Sequence, residues 1–363
     1  MTFFPSLDAW VAERSGVSGP NGAPDPAALA AWQLAALRAT LAWAREKSPF
    51  YRNHLASLPP NFPRTPEEVA QIPFTTPDDL REAGEHMLCV PQGAVARVVT
   101  ISTSGTTGGP KRIFLTDEDV AATLDFFSQG MTMLARPGDA VLVLLPGRTP
   151  DGASDLLARA TARMGARPLF APEGCSPAET ARLLIDAGIS CVAALPRQAA
   201  ALMADPSARQ AGKGRVRTML LSGEPVADEL RAAVADAWGA EIFAHYGQTE
   251  TGFGGGVECL AHQGYHLREA DLFFEIVDPE SGLPLGQNAL GEVVVSTLLR
   301  RGMPLIRFRT GDAARMLAGP CACGSPLRRL GAVQGRIVRD AAGTRIIQPE
   351  KGAGRRGRPS FDP

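Results

Sequence analysis

Apolar and polar positions along the chain switch between helical and strand-like spacing. Between residues 28 and 47, apolar side chains recur three or four positions apart, which predicts a long helix packed on the core. From Val98 onward, short apolar runs alternate with helical stretches. These patterns predict strands at 140–145, 190–194, 216–222 and 241–244, and helices at 155–164, 177–187 and 227–238. Such alternation is typical of an α/β sheet with helices on its faces.

Three further segments complete the outline of elements. Residues 17–26 are rich in Gly, Pro, Asn and Asp, which predicts a loop before the first long helix. Thr65 is predicted as the N-cap of another helix, with Glu68 closing a capping box. Strands at 272–278 and 291–297 are expected beside the main sheet.

Length and charge limit the classes of function. A chain of 363 residues is long enough for one large domain or two. The 37 basic residues balance 38 acidic ones, so we expect small-molecule partners rather than nucleic acid. Without an apolar run near the ~18 residues of a membrane span, and without a secretory signal in residues 1–16, we expect a cytoplasmic protein that does not bind membranes. The six cysteines are then expected to be free thiols or metal ligands.

Hydroxyl groups and glycines are concentrated in residues 103–111, directly after the apolar run 98–101. Glycines allow a tight backbone bend and hydroxyls add donors, so a strand leading into such a loop predicts a phosphate site. The consensus G-x-x-x-x-G-K-[ST] fails, because Pro110 stands five positions after Gly105 and Arg112 follows Lys111. A P-loop kinase or ATPase is therefore disfavoured, and an ordinary surface turn is the simpler alternative. The residues expected to hold phosphate are Thr103, Ser104, Gly105, Thr106, Thr107 and Gly108, with Lys111 adding charge.

Three more motifs follow this loop in order. They are His245-Tyr246-Gly247-Gln248-Thr249-Glu250, Arg309-Thr310-Gly311-Asp312 and Gly335-Arg336. With the loop, they resemble the four ordered signatures of the adenylate-forming superfamily, the acyl-CoA synthetases and their relatives. Segments 48–52, 72–76, 303–309 and 321–324 are similar to the phenylacetate-CoA ligase branch, and the resemblance extends from about residue 34 to residue 336.

The resemblance implies both a fold and a reaction. The fold is the large N-terminal α/β domain of an acyl-CoA synthetase, with helix-flanked sheets and a distorted β-barrel, over residues 1–335 with a mainly helical lead-in at 1–95. The reaction is ATP-dependent ligation of an aryl or other organic acid to coenzyme A through acyl-AMP, with Mg²⁺ as cofactor. The alternative is a homologue that binds nucleotide or acyl-adenylate without turnover. A homodimer is compatible with the sequence.

The resemblance also implies roles for single residues. Glu250 matches the Mg²⁺ ligand, Thr249 a contact to the α-phosphate, and Asp312 the acid that accepts both ribose hydroxyls through its two oxygens. The alternatives are a surface acid for Glu250, a turn residue for Asp312 and a satisfied core histidine for His245. The other assignments are catalytic roles for Lys111 and for His245 near the substrate carboxylate, an adenine-lining loop at Ser222, Gly223, Glu224 and Pro225, and nucleotide contacts at Tyr246, Gly247 and Arg336.

Cysteine and histidine residues suggest a separate metal site. Cys321 and Cys323 supply two thiols on a tight loop, and zinc favours four nitrogen or sulfur ligands. We expect a structural Cys₃His zinc site that joins two distant segments, formed by Cys259, His266, Cys321 and Cys323. His262 is an alternative to His266, whereas plain thiols are expected at Cys89, Cys175 and Cys191.

The C-terminal segment departs from the family pattern. In the resembled family a mobile domain on the order of 100 residues follows the Gly-Arg motif, whereas 27 residues follow Arg336 here. Val338 stands where the hinge acid is expected, and the Gly- and Arg-rich residues 351–358 have a composition that cannot pack a core. We therefore expect residues 336–363 to be a disordered remnant of the small domain. We also expect poor thioester formation, because closure of that domain assembles the site and excludes water.

Overall fold

The computed structural model describes residues 6–101, 110–340 and 343–348. In these ranges no helix is both long enough and apolar enough to cross a membrane. The α-helices are α1 (Ser6–Ser15), α2 (Pro26–Lys47), α3 (Pro49–His54), α4 (Pro77–Ala83), α5 (Asp117–Met131), α6 (Ala153–Arg163), α7 (Pro177–Asp186), α8 (Pro196–Ala204), α9 (Pro206–Gly212) and α10 (Asp228–Trp238). Short 3₁₀ turns lie at Pro20–Gly22, Glu67–Gln71, Gly84–Met87, Gln92–Ala94 and Thr249–Thr251.

The strands number from β1 to β15 in chain order. They are β1 (Arg97–Ile101), β2 (Lys111–Leu115), β3 (Ala140–Val143), β4 (Arg167–Phe170), β5 (Ile189–Ala194), β6 (Thr218–Ser222), β7 (Glu241–Tyr246), β8 (Gly256–Glu258), β9 (Tyr265–Leu267), β10 (Leu272–Val277), β11 (Leu290–Thr297), β12 (Phe308–Arg315), β13 (Arg329–Leu330), β14 (Gly335–Asp340) and β15 (Gly343–Ile347). The expected strands are therefore present within a few residues of their predicted ends.

The described residues before β1 form a helical lead-in. Helix α2 starts where Asp25 accepts a hydrogen bond from the Ala28 amide, with Pro26 at the first helical position. The helix predicted to start at Thr65 is instead a short 3₁₀ turn that begins at Glu67. There the carboxylate of Glu68 accepts the amide of Arg64. The predicted capping box at Thr65 is wrong, because Glu68 bonds upstream of the expected cap.

The main sheet has eight strands in the order β13-β9-β8-β7-β6-β5-β3-β4. Strands β4, β3, β5, β6 and β7 are parallel, and β8, β9 and β13 extend the sheet in antiparallel fashion. Each residue of β5 is buried, as a central parallel strand covered on both faces requires. The fold is therefore the α/β arrangement that the sequence predicts.

A second sheet lies where the sequence predicts barrel strands. It has five antiparallel strands in the order β10-β11-β12-β14-β15. An apolar core between the two sheets includes Ala244, Tyr246, Leu272 and Phe274. Strands β14 and β15 form a hairpin in this sheet, so the disordered tail expected from residue 336 can concern only residues 349–363, which are outside the described residues.

The phosphate-loop motif is enclosed by a hairpin of its own. Strands β1 and β2 pair antiparallel, and their last pair is Ile101 with Lys111. Residues 102–109 are outside the described residues, so the expected phosphate contacts at 103–108 have no structural description. The residues on either side of the loop, Ile101 and Lys111, lie opposite each other in the hairpin.

The carboxyl ends of β6 and β7 bring the remaining motifs together. Ser222 ends β6 and is the register partner of His245 on β7. The residues that follow each strand are those of the 222–225 and 246–250 motifs. Ligands of open α/β sheets bind at such carboxyl ends, so the topology places these motifs where a ligand would bind.

Helix α5 packs tightly on the turn after β7, which allows a test of this arrangement. A Cβ on Gly254 would lie 2.4 Å from Cε1 of Phe126 and 3.3 Å from Cε1 of Phe127. We expect Gly254→Ala to lower the free energy of unfolding by about 1 to 3 kcal/mol in urea denaturation, because overpacking forces both rings to move. The matched control is Gly286→Ala, where nothing lies within 4 Å of the new Cβ. Equal destabilisation by both substitutions would contradict the packing described.

Candidate functional site

Asp312 is the centre of a buried polar cluster. The residue is 7% exposed, and one carboxylate oxygen forms an ion pair with Arg336, the register partner of Asp312 on β14. Its other oxygen accepts hydrogen bonds from the Tyr246 hydroxyl at 3.2 Å and from the Gln248 side-chain amide. Burial, followed by the charge of Asp312, raises the pKa of Tyr246 well above its usual value, so the phenol stays a donor. Both oxygens of Asp312 are therefore held as acceptors by three side chains.

The backbone before Asp312 fixes the direction of this carboxylate. The amide of Asp312 donates to Thr310 Oγ1 at 3.1 Å, and that hydroxyl donates to the Val293 carbonyl at 2.7 Å. Gly311 has a φ of +72°, and a Cβ there would lie 3.2 Å from Nη2 of Arg336. A glycine is thus required for both the turn and the approach of the arginine.

Glu250 forms a second ion pair near the phosphate-loop motif. Glu250 is 6% exposed, and its carboxylate pairs with the ammonium group of Lys111, the first residue of β2. The Glu250 carbonyl accepts a 2.7 Å hydrogen bond from Arg300, which holds the 3₁₀ turn that carries Thr249 and Glu250. The Lys111 ammonium group is the positive partner that this buried carboxylate requires.

Ser222 and His245 meet where β6 and β7 end. Ser222 Oγ lies 2.9 Å from Nδ1 of His245. Burial, with a smaller contribution from the charge of Arg268, lowers the pKa of His245 to about 4, so the ring is neutral at neutral pH. The turn after Ser222 starts at Gly223 with a φ of +86°, and Glu224 pairs with Arg197. Within the described residues, the 222–225 and 245–250 motifs thus share one edge of the sheet.

An apolar cavity extends from this edge into the protein. It is lined in part by Ser222 and His245. Its other walls are aromatic, aliphatic or glycine, from α5, α6 and the strands beside them: Phe126, Phe127, Gly130, Met131, Leu145, Ala153, Leu157, Leu220, Phe253 and Val257. The arrangement can hold a hydrocarbon group beside the polar motifs.

Sequence reasoning missed several residues of this region. Gln248 lies inside a recognised motif, yet nothing in the sequence indicated that its amide reaches Asp312. Arg268 stacks on Phe126 with its guanidinium 4.9 Å from the ring centroid and donates to Asp271 at 2.7 Å. In the sequence, the aromatic wall of the cavity is indicated by the adjacent residues Phe126 and Phe127, which follow the loop motif.

The Cys and His residues predicted to bind metal form one cluster. The ligand atoms of Cys259, His266, Cys321 and Cys323 all lie within 4.8 Å of one another. Cys259 Sγ is 3.6 Å from Cys321 Sγ, and Cys323 Sγ is 3.4 Å from Nε2 of His266. Ligands of a tetrahedral zinc ion with Zn–S bonds of about 2.3 Å are separated by about 3.7 Å, so the spacing fits such an ion.

The alternative ligand His262 is engaged elsewhere. Its Nε2 lies 2.8 Å from Glu241 and its Nδ1 lies 3.4 Å from Glu258. Burial lowers the pKa of His266 to about 4, which leaves that ring neutral and able to bind metal. The thiols of Cys89, Cys175 and Cys191 are free cysteines outside the cluster, as predicted.

Comparison with known proteins identifies the family of this chain. The profile of the family described as "AMP-binding enzyme" matches residues 41–298. The chain is 30% identical over 317 residues to a phenylacetate-coenzyme A ligase of Thermus thermophilus, covering 85% of this chain and 70% of that protein. It is 30% identical over 322 residues to the phenylacetate-coenzyme A ligase of Pseudomonas putida, covering 85% and 71%.

Among solved structures, 2-hydroxyisobutyryl-CoA ligase in an open conformation, in complex with 2-HIB-AMP and CoA, has the same fold. The TM-score is 0.74 at 21% identity, with 86% of this chain and 76% of that chain covered. The predicted fold of an acyl-CoA synthetase large domain is therefore confirmed. From the profile match and the two ligases at 30% identity, the chain belongs to the family of AMP-binding enzymes.

Proposed function

We propose that this protein is an ATP-dependent carboxylic acid–CoA ligase that forms acyl-AMP and then acyl-CoA. The observation that carries the proposal is the position of the apolar cavity. Ser222 and His245, at the same edge of the sheet as the 222–225 and 245–250 motifs, are among the residues that line it. An apolar acid in the cavity would present its carboxylate toward a nucleotide held by those motifs. The phenylacetate-coenzyme A ligases at 30% identity support the same reaction.

Adenylation joins two anions, so the site must align them and offset their charge. The carboxylate oxygen of the acid attacks the α-phosphorus of ATP, and pyrophosphate leaves. Asp312 would accept the ribose hydroxyls, with Arg336 beside it. Thr249 would contact the α-phosphate, and Lys111 would approach the phosphates held by the 103–108 loop. Residues 222–225 and 246–247 would line the nucleotide base.

Mg²⁺ fits the surroundings of Glu250. Glu250 presents a buried carboxylate beside the loop motif, and Mg²⁺ prefers carboxylate and phosphate oxygens. The ion would share this carboxylate with the Lys111 ammonium group or replace that group as its partner. When bound, the ion would offset charge that develops on the leaving phosphates. Glu250 would hold the ion, while Arg300 keeps the turn that carries Glu250 in place.

Thioester formation would complete the reaction. The thiol of coenzyme A attacks the acyl carbon of acyl-AMP, and AMP leaves. His245 lines the cavity beside the polar motifs, near the position proposed for the acyl group. Because the ring is neutral, it would contact the acid without contributing a charge.

The cluster of Cys259, His266, Cys321 and Cys323 would hold a structural zinc ion. A closed set of four protein ligands is typical of structural zinc sites, because catalytic zinc keeps one position open. The site would join the β8–β9 connection to the loop before β13, next to the register pair Arg329 and His266. We propose a stabilising role for it, apart from the chemistry.

The ligase and the non-catalytic alternative are distinguished by two measurements. ATP with Mg²⁺ should raise the melting temperature, because a ligand that binds only the folded state stabilises it. ATP–pyrophosphate exchange with a panel of aryl and fatty acids should show acid-dependent turnover. A melting shift without exchange would favour a binding protein, and no shift at millimolar ATP would contradict both.

Substitutions of Asp312 and of Glu250 should affect nucleotide binding differently. Asp312→Ala removes a ribose contact that every adenine nucleotide makes, so AMP and MgATP should both bind about tenfold to hundredfold more weakly. Glu250→Gln should weaken MgATP and leave AMP binding close to the wild-type value. Isothermal titration calorimetry with both nucleotides checks this division. Equal losses of AMP affinity in the two variants would be incompatible with it.

Zinc content tests the metal site directly. Protein purified without chelator should contain about one zinc ion per chain, and Cys323→Ser should lower both zinc content and melting temperature, because structural zinc contributes folding free energy. Cys175→Ser is the matched control, since that thiol lies outside the cluster. Wild-type protein free of zinc, or an equal effect of both substitutions, would refute the site.

A further inference from the structure

One polar atom of a residue that lines the apolar cavity lacks a partner in the part of the chain that the structure describes. Nε2 of His245 is buried and makes no hydrogen bond with the described residues. The opposite ring nitrogen, Nδ1, is engaged by Ser222. A buried polar group without a partner costs about 1 to 3 kcal/mol. Within the described residues, His245 is thus hydrogen-bonded through one ring nitrogen and not through the other.

The surroundings of the ring make this atom distinctive. The His245 ring lies edge to face with Phe127, with centroids 6.0 Å apart, and 6.3 Å from Phe126. Apart from Ser222 and His245, the described residues that line the cavity have aromatic, aliphatic or thioether side chains or are glycine. Among the described side chains of this wall, Nε2 of His245 is therefore the polar atom that lacks a partner.

The chemistry of the ring limits what that atom can recognise. His245 is neutral, so it carries no charge with which to bind an anionic substituent. The Ser222 hydroxyl can donate to Nδ1 or accept from it, so Nε2 is either an acceptor or a donor. A hydroxyl group both donates and accepts, and it complements either form of the ring.

We propose that the cavity selects an apolar acid bearing a hydroxyl group, and that Nε2 of His245 is the atom that recognises this hydroxyl. The inference rests on the proposed ligase function and adds the substrate class to it. The rest of the acid is an aryl or branched alkyl group that fits the aromatic and aliphatic walls. Sites that hydrogen-bond a hydroxyl reject the analogue without it much more strongly than apolar pockets distinguish a methyl group.

The test compares acids that differ in one group. ATP–pyrophosphate exchange is measured with phenylacetate, with its ortho-, meta- and para-hydroxy derivatives, with the corresponding methyl derivatives, and with mandelate, which has the hydroxyl on the α-carbon. We expect kcat/KM for the best hydroxy acid to exceed that of phenylacetate and of the matching methyl acid by at least about tenfold. If the wild-type protein gave a kcat/KM for each hydroxy acid close to that for phenylacetate, whatever the position of the hydroxyl group, the inference would be overturned.

Two substitutions separate recognition from a structural role. His245→Asn keeps an amide near the position of Nδ1 and removes the group at Nε2, so the ratio of hydroxy to unsubstituted acid should fall to near one. His245→Gln places its amide near the position of Nε2 and should retain part of the preference. The ratio is the readout because a general loss of activity lowers both rates. An unchanged ratio in His245→Asn would also overturn the inference.

The outcomes distinguish this inference from the function on which it rests. Equal exchange with hydroxy and unsubstituted acids leaves the ligase assignment intact and overturns only the role of His245. Exchange with none of the acids contradicts the ligase function and the inference together. Because the ring is neutral, the preference should be the same at about pH 6.5 and pH 8. A preference that appears only at the lower pH would indicate a charged histidine and overturn the role assigned to Nε2.

Discussion

The hydrogen bond from Tyr246 to Asp312 connects the two sheets of the protein, and the candidate site depends on it. Tyr246 ends β7 in the eight-stranded sheet, whereas Asp312 lies on β12 in the five-stranded sheet. Both residues are buried, so a substitution of either would remove one partner of a buried polar group, although Gln248 and Arg336 would still pair with Asp312. The 245–250 motif is thus held against the 309–312 motif by the contacts of Tyr246 and Gln248 with Asp312.

The sequence predicted the motifs better than the contacts between them. Short buried runs and their connecting helices were recognised because parallel strands covered on both faces are continuously apolar. The 222–225 and 245–250 motifs could be placed together, since parallel strands end at one edge. The link from Gln248 to Asp312 and the stacking of Arg268 on Phe126 join residues far apart in the chain, and no local pattern encodes them.

The ligands of the metal cluster could be predicted from the sequence, whereas the C-terminal hairpin could not. Four ligands could be chosen because few residue types bind zinc, and the structure brings those four together. Strands β14 and β15 were not anticipated, because alternating buried and exposed residues at an edge of a sheet give a weak signal. Expectations that concern residues 103–108 and 349–363 stay predictions.

The cluster also has a consequence for the order in which the chain assembles. Cys259 and Cys321 are 62 positions apart in sequence, and β9 to β12 lie between them. A metal bound at the cluster would close this segment into a ring and reduce the conformational entropy of the unfolded chain by an amount worth about 4 kcal/mol, by analogy with a cross-link of similar span. Asp312 lies inside the ring and Tyr246 outside it. If metal bound early in folding, fewer conformations of the segment that carries Asp312 would be available before Asp312 contacts Tyr246 and the two sheets are joined.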